Sequence, residues 1–239
     1  MERALALGLD VSHPILSKAT RYLVGLLEGP LADFPDPPEK NDRWATAVRL
    51  FTAATLALVQ PNHPALDEVW NLWLSIAQRT FAAGQYDPGA EVLAHRELTG
   101  ATVQGSYQVL SGRYQLALLG ARPGALPRDL EQALLDWVWH KEGGIGYLGV
   151  GLSSPDPYLD TRRMDRWLAS LGLLSRFPSW QEQAGDAIQW LWDRRTPAGL
   201  WDFGPRTSVH FSETWRKGPA RQFDWTTRVL VLLQNYYAG

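Results

Sequence analysis

Hydrophobic and polar residues alternate with helical periodicity over most of the chain, most clearly near its C-terminal end. Ile188, Leu191 and Trp192 recur three or four positions apart, which predicts an amphipathic helix over about 179–195. The turn Pro197-Ala198-Gly199 follows, and its glycine can adopt the positive φ that commonly ends a helix.

A second helix is predicted over about 221–237, after a polar loop. Trp201 comes directly after the turn, so we expect it to pack between the two helices. The unit is therefore a helical hairpin with an aromatic plug. The apolar residues that mark its second helix as well buried are Val229, Leu230, Leu232 and Leu233.

The same hairpin pattern recurs along the chain at intervals of about 50 to 65 residues. Pro14, Pro64 and Pro127 lie at or near helix starts, where a missing N–H costs nothing. An additional helical turn or short helix is predicted within 87–100. The four first helices are predicted at about 13–28, 63–82, 127–141 and 179–195. The four second helices are predicted at about 41–59, 101–120, 158–176 and 221–237.

These hairpins predict an all-α protein with a single domain over 1–239. Amphipathic hairpins must close their apolar faces against neighbouring hairpins, which favours a stack that curves into a small or incomplete α/α toroid. We expect the second helices, above all 158–176 and 221–237, to form the inner wall. Their N-termini would then meet at one rim, where helix dipoles favour an anion. The four repeats are 13–60, 63–120, 127–176 and 179–237.

Composition restricts the function. The 239 residues carry a formal net charge of −2 and no long run of Lys or Arg, so nucleic acid is not an expected partner. The chain has no Cys, which excludes disulfides, thiolate nucleophiles and Cys-ligated metal sites. No segment reaches the roughly 20 apolar residues of a transmembrane helix or resembles a signal peptide, and we expect a cytoplasmic protein. Twelve Trp residues favour an apolar pocket or an interface.

Several short motifs fit one known family. The segment Arg195-Thr-Pro-Ala-Gly199-Leu-Trp201 resembles the Gln-x3-Gly-x-Trp repeat of the α/α-toroid superfamily, which contains squalene and terpene cyclases and protein prenyltransferase β subunits. Tyr158-Leu-Asp160-Thr161-Arg162 and Asp224-Trp-Thr-Thr227-Arg228 resemble the starts of that family's inner helices. The resemblance covers most of the chain at the level of the repeat, and it implies a toroid that handles isoprenoids.

Two differences from the family restrict the chemistry that the resemblance implies. Family prenyltransferases hold a catalytic zinc with Asp, Cys and His, whereas this chain has no Cys, so prenyl transfer to protein is not expected. Class II cyclases protonate an alkene with the middle Asp of Asp-x-Asp-Asp. The nearest segment here, Asp156-Pro-Tyr-Leu-Asp160-Thr161, keeps one Asp followed by Thr but lacks the acid cluster. A cyclase of this sequence would therefore be atypical.

Asp160 and Asp224 are the candidate catalytic residues, because both are expected at the starts of inner helices. One interpretation makes them helix-capping acids that accept hydrogen bonds from the free N–H groups of the first turn. The other makes them buried acids whose pKa is raised by an aromatic pocket, so that they can protonate an alkene or an epoxide. Asp160 is the stronger candidate because Thr161 follows it, as in the cyclase pattern.

Arg162 and Arg228 are candidate ligand-binding residues at the same helix starts. They either pair with Asp165, Asp160 or Asp224 and hold neighbouring hairpins together, or they converge on an anionic ligand such as a phosphate or carboxylate. Further cations that could join them are Arg43, Arg49 and Arg163.

Aromatic side chains at similar positions are candidates for an apolar ligand pocket. They either fill the core or face a cavity, where they would hold an apolar chain and stabilise a carbocation through their π faces. The candidates are Trp44, Tyr158, Trp167, Trp201 and Trp225.

Neither a metal nor a cofactor is expected. His210, with Glu213 and Asp202 nearby, forms the only cluster in the sequence that resembles a metal site, and its spacing does not fit a regular helix. His13 and His63 precede prolines at helix starts and are interpreted as turn residues. The sequence contains no HExxH motif, phosphate-binding loop or G-x-S-x-G elbow.

Two functions of different classes follow. The first is an atypical terpene or squalene cyclase that handles an isoprenoid or another lipophilic molecule. The second is a non-catalytic toroid that binds a ligand or serves as a protein-interaction scaffold. The expected partner is a lipophilic small molecule, with or without an anionic head, bound at the rim, and the sequence also allows a homo-oligomer.

Overall fold

The structure, a computed structural model, describes residues 1, 4–5, 8–29, 41–100, 108–206 and 218–238, without the side chains of 41–46. In these ranges the secondary structure is helical, apart from one isolated parallel bridge between Gly144 and Val150. The prediction of an all-α protein is therefore confirmed. Among the helices so described, none has both the length and the apolar character needed to cross a membrane.

The helices follow the predicted order. They are α1 (Pro14–Glu28), α2 (Asn41–Leu56), α3 (Asp67–Thr80), α4 (Pro88–Thr99), α5 (Arg113–Leu119), α6 (Arg128–His140), α7 (Arg163–Leu174), α8 (Gln181–Asp193) and α9 (Gly218–Ala238). Short 3₁₀ turns occur at Pro64–Leu66, Asp156–Tyr158 and Pro178–Trp180.

The two predicted helices that differ most from expectation are those over 101–120 and 158–176. In the described part of 101–120 only α5 is helical, and 101–107 lie outside the described residues. The helix predicted over 158–176 begins at Arg163, because the chain first forms a 3₁₀ turn and then a residue with positive φ, Asp160. The short helix predicted within 87–100 is confirmed as α4.

The chain divides into two compact units, Met1–Leu130 and Glu131–Gly239. In the first unit α1 packs on α2, α3 packs on α4, and α2 also contacts α5. In the second unit α9 contacts both α7 and α8. The packed pairs α1–α2 and α8–α9 match two of the predicted hairpins, while closure into a toroid remains a prediction.

His13 and His63 start helical segments in the same way. Nδ1 of His13 accepts a hydrogen bond from the Ile15 N–H at 3.3 Å, and Nδ1 of His63 accepts one from the Ala65 N–H at 3.1 Å. In each case a proline occupies the next position, where no N–H is needed. Their interpretation as residues of helix starts is confirmed.

Trp201 lies between the two helices of the last hairpin. Its indole N–H donates to the Leu191 carbonyl of α8 at 2.6 Å, and its backbone N–H donates to Oγ1 of Thr226 on α9 at 3.0 Å. The side chain is 1% exposed. Gly199 has a φ of +80°, which an L side chain adopts only at a cost, and so allows the turn that places Trp201. The predicted aromatic plug is confirmed.

Helix α9 is buried on one face only. Trp225, Val229, Leu232 and Leu233 are buried as the periodicity requires, but Leu230 is 50% exposed. The prediction that Leu230 is buried is wrong, because around the helix it lies about 100° from Val229 and about 160° from Leu232, on the side that faces solvent.

Candidate functional site

The three described tryptophans among the predicted ligand-binding residues fasten loops within the second unit. Trp167 is fully buried and donates its indole N–H to the Leu152 carbonyl at 3.1 Å. Trp225 is 1% exposed and donates to the Gly204 carbonyl at 3.1 Å. Trp201 donates its indole N–H to the Leu191 carbonyl near the end of α8. Their buried rings and bonded N–H groups agree with the core interpretation.

Tyr158 holds the same loop as Trp167. Its hydroxyl accepts a hydrogen bond from the Gly151 N–H at 2.8 Å, and the guanidinium of Arg163 lies 4.7 Å from its ring centre. Arg163 also donates to the Gly149 carbonyl at 2.7 Å. Tyr158 and Arg163 therefore shape the backbone of the 149–152 segment. The side chain of Trp44, a further predicted ligand residue, lies outside the described residues.

Asp160 is exposed at the surface of the second unit, with a φ of +57°. The expected action of Asp160 as a proton donor assumed a buried carboxyl group, whereas its side chain is exposed. Oγ1 of the neighbouring Thr161 accepts a hydrogen bond from the Arg163 N–H, at the first residue of α7, at 3.1 Å. Asp160 lies between the 3₁₀ turn and α7, and its assignment as a catalytic residue stays a prediction.

Asp224 is 7% exposed and lies in the second turn of α9. Helix α9 begins at Gly218, three residues earlier than predicted, so Asp224 cannot cap its first turn. Of the two candidate acids, Asp224 is thus the one that is buried.

Arg228 is committed to an ion pair. Its Nη1 lies 2.7 Å from Oδ1 of the buried Asp165, and its guanidinium lies 4.6 Å from the ring centre of Trp225. The interpretation of Arg228 as a residue that holds helices together, here α9 to α7, agrees with this geometry. Arg162 is exposed.

A second ion pair lies next to Asp160. Arg221 donates from Nε to Oδ1 of Asp202 at 2.7 Å and from Nη2 to Oδ2 at 2.6 Å, a bidentate arrangement. These hydrogen bonds raise the pKa of Arg221. Gly204 has a φ of +89°, and a Cβ at this position would collide with the Asp160 carboxylate. Asp160 and Trp225 therefore meet at Gly204, and the charges around them are largely neutralised by pairing.

The structure also contains a cleft that the sequence did not predict, in the first unit. Its volume is about 560 Å³, within the range of small-molecule sites. It is lined by three valines, Val11, Val24 and Val59, by the neutral polar residues Ser12, Ser17, Thr20 and Gln60, and by the basic residues Arg21 and His63. None of these described lining residues is acidic.

Arg21 gives this cleft its charge. Within the described part of the chain, no carboxylate lies within 4 Å of its guanidinium, in contrast to Arg228 and Arg221. Nδ1 of His63 accepts from the Ala65 N–H, so in the neutral ring Nε2 carries the proton and acts as a donor. The cleft combines donors for an anion with apolar surface. The signal available in the sequence was the i, i+4, i+7 spacing of Ser17, Arg21 and Val24 on one face of α1.

A buried polar cluster, formed by Tyr86, Glu91 and His95, lies elsewhere in the first unit. Glu91 is 2% exposed and accepts hydrogen bonds from the Tyr86 hydroxyl at 2.6 Å and from the Leu110 N–H at 2.7 Å. Burial, followed by the hydrogen bond to Glu91, raises the pKa of Tyr86. Glu91 therefore ties α4 to the segment before α5.

His95 is neutral in this cluster at physiological pH. Burial lowers its pKa to about 4, and the nearby Gln108 backbone opposes the shift without reaching either ring nitrogen in hydrogen-bond geometry. Nε2 of His95 lies 4.0 Å from Oε1 of Glu91, close enough for an ion pair only if the ring were protonated. Because burial disfavours the charged ring, this contact is not an ion pair between two charges.

We expect the protein to lose stability at acidic pH because of His95. The unfolded chain, with a histidine pKa of 6.5, binds the proton more tightly than the folded chain, with a pKa of about 4. The contribution is therefore fully present above about pH 6.5 and decreases by about 3 kcal/mol as the pH falls towards 4. Urea denaturation at a series of pH values measures the effect.

The His95→Gln variant serves as the test and His140→Gln as its control, since His140 is 65% exposed in its side chain. We expect the first substitution to flatten the stability profile between pH 6.5 and 4, and the second to leave it unchanged. Parallel profiles for wild type and His95→Gln would show that another group causes the acid sensitivity.

No protein-family model matches the sequence, and neither the curated proteins nor the solved structures contain a match to it. Evidence about function therefore comes from the geometry of the chain itself.

Metal ligands do not cluster in the described ranges, where no three His, Cys, Asp or Glu side chains could hold one ion. His210 and Glu213, which the sequence placed near Asp202, lie outside the described residues. In the described part, Asp202 is instead paired with Arg221.

Proposed function

We propose that this chain is a non-catalytic helical-hairpin protein that binds a lipophilic small molecule with an anionic group. The observation that carries the proposal is the cleft of the first unit, with Arg21 and His63 beside three valines. A guanidinium without a carboxylate partner attracts an anion more strongly than one already neutralised. The proposed ligand chemistry is that expected from the sequence, but its place is the cleft instead of the rim.

Each half of such a ligand has a counterpart in the cleft. An anionic head would accept hydrogen bonds from Arg21 and from Nε2 of His63, while an apolar tail would cover Val11, Val24 and Val59. Apolar burial contributes roughly 25 cal/mol per Å². A neutral molecule of the same shape would gain the free energy of apolar burial but not that of the hydrogen bonds to an anionic head.

Three findings favour binding over cyclase chemistry. Asp160 is exposed, the aromatic candidates Trp167, Trp201 and Trp225 are buried with bonded N–H groups, and Arg228 is neutralised by Asp165. The alternative proposal, an atypical cyclase, depends on Asp224, which is buried. The arrangement of the repeated hairpins as a toroid is part of both proposals.

The binding proposal is tested by comparing a prenyl diphosphate with its parent alcohol in isothermal titration calorimetry. We expect the diphosphate to bind more tightly, and the Arg21→Ala variant to weaken its binding by about 10- to 100-fold, the range of a charge-assisted hydrogen bond. Binding of the alcohol should change little.

Arg96→Ala is a matched control, because Arg96 is an exposed arginine of the same unit that does not line the cleft. Equal losses for Arg21→Ala and Arg96→Ala would contradict the proposed site. The same mixtures, analysed by mass spectrometry, report on chemistry. A cyclised product that keeps its diphosphate would contradict the non-catalytic assignment and favour Asp224 as the acid. Released diphosphate would also contradict that assignment, but it would indicate cleavage of the C–O bond and not protonation by Asp224.

A further inference from the structure

Helix α9 carries a stripe of large apolar side chains that face solvent. Phe223 is 61% exposed, Leu230 50%, Val231 53% and Tyr237 64%. Four such residues on a single helix form a cluster, unlike the isolated exposed apolar residues that are common on protein surfaces. We call Phe223, Leu230, Val231 and Tyr237 the α9 stripe.

The spacing of the stripe places it on one side of the helix. Phe223, Leu230 and Tyr237 follow one another at intervals of seven residues, which is close to two helical turns. The exposed residues Thr227 and Gln234 lie between them on the same side. The opposite side, with Trp225, Val229 and Leu232, is the one that packs into the second unit. The α9 stripe is therefore an exposed apolar side of the helix that borders the core face at the buried Leu233, and its Tyr237 hydroxyl accepts a hydrogen bond from Trp192 of α8.

We propose that a second copy of this chain covers the α9 stripe, with the two α9 helices antiparallel about a two-fold axis at Leu230 and Val231. The stripe is symmetric about this point, since Phe223 and Tyr237 lie seven residues to either side of Leu230. A two-fold axis there brings Phe223 of one copy against Tyr237 of the other, and Leu230 against its own equivalent. Such an isologous contact needs a surface that is complementary to itself, as this one is.

The few charged residues of α9 are also compatible with a second copy of the chain as the partner. Between Phe223 and Tyr237 the only charged residues are Asp224, which is buried, and Arg228, which is paired with Asp165. Two copies can therefore approach without repulsion between like charges. The antiparallel arrangement also places Thr227 near Gln234 of the other copy and opposes the two helix dipoles.

The size of the stripe indicates a reversible dimer. A large aromatic side chain buries about 150–250 Å² when fully covered, so four half-exposed side chains offer roughly 400 Å² per copy. Together with Thr227 and Gln234, two copies would bury roughly 1,000 Å² in total, near the lower end for a specific interface. We therefore expect a dissociation constant in the micromolar range.

Sedimentation velocity over a concentration series is the first test. Wild-type protein should shift from monomer to dimer as its concentration rises through the micromolar range, and Leu230→Glu should raise the dissociation constant at least tenfold. Val92→Glu is the matched control, since Val92 is also 50% exposed but lies on α4. Circular dichroism of each variant checks that the exposed substitution leaves the helices intact.

The absence of cysteine permits a second test of the geometry. A Leu230→Cys variant should form a disulfide-linked dimer when oxidised with diamide, because residue 230 lies at the axis. Phe223→Cys and Tyr237→Cys should link poorly when each is alone and efficiently when the two variants are mixed.

Three results would overturn the proposal. They are a wild-type protein that stays monomeric over the whole series, equal effects of Leu230→Glu and Val92→Glu, and self-linking of Phe223→Cys as efficient as that of Leu230→Cys. None of these measurements depends on the cleft of the first unit, so failure of this proposal leaves the ligand-binding proposal intact.

Discussion

The Glu91→Ala variant is expected to lose about 3–5 kcal/mol of unfolding free energy. The Glu91 carboxylate is buried and accepts hydrogen bonds from the Leu110 N–H at 2.7 Å and the Tyr86 hydroxyl at 2.6 Å. Alanine would leave the Leu110 N–H without this acceptor beside a side chain that is fully buried, and would also open a cavity. Urea denaturation followed by far-UV circular dichroism measures the change.

Two further variants distinguish the stability lost with the buried Glu91 carboxylate from the stability lost when any acidic side chain is removed. Glu97 lies on the same helix, is 53% exposed in its side chain and pairs with Arg79, so Glu97→Ala should cost less than about 1 kcal/mol. Glu91→Gln keeps one oxygen acceptor for Leu110 and should fall between the two alanine variants. If Glu91→Ala costs no more than Glu97→Ala, the buried cluster does not hold α4 in place.

Helix positions could be predicted well from the sequence, because local signals determine them. His13 and His63 before prolines, and Gly199 after a helix, act through backbone hydrogen bonds and φ preferences within a few residues. The pattern of apolar residues then gave the lengths of α1, α6 and α8 to within a few residues. Where the backbone departs from a regular helix, as at Asp160 with its positive φ, the same pattern placed the start of α7 too early.

The inside and outside of a helix were harder to predict than its length. On α4 the apolar residues Val92 and Leu93 are 50% and 43% exposed, whereas Glu91 and His95 are buried. On α9 the apolar Leu230 is exposed although Val229 and Leu232 near it are buried. Which side of a helix is buried depends on the partners it meets in the fold. A carboxylate is buried only where donors from distant segments, such as Leu110, satisfy it.

The candidate site depended even more on distant contacts. Asp165 and Arg228 are separated by sixty-three positions. From the sequence alone, an ion pair between them and an anion-binding site at Arg228 were both open. The cleft is built from α1 and from residues 59–63, which the repeat pattern treated as helix ends and turns. Side-chain convergence of this kind carries no local signal, so Arg21 was not predicted to line a site.

The Trp201→Ala variant is expected to be among the most destabilising single substitutions in the second unit, at about 3–5 kcal/mol of unfolding free energy. Trp201 is 1% exposed and packs 5.6 Å from the ring centre of Trp192, so alanine leaves a cavity between α8 and α9. The Leu191 carbonyl also loses its indole donor at 2.6 Å. Urea denaturation should show a lower midpoint with the same m-value if only stability changes.

Phenylalanine at the same position separates packing from hydrogen bonding. Trp201→Phe keeps most of the buried ring and removes the indole N–H, so we expect a loss of about 1–2 kcal/mol, between wild type and Trp201→Ala. Trp192→Phe is the matched control, because its indole N–H donates to the Tyr237 hydroxyl at an exposed site where water can replace it. That variant should cost less than about 1 kcal/mol, and its midpoint should stay close to wild type. If the urea midpoint of Trp201→Ala is as high as that of Trp192→Phe, the turn after α8 folds without its aromatic plug. The contacts between α8 and α9 would then be sufficient to stabilise the hairpin.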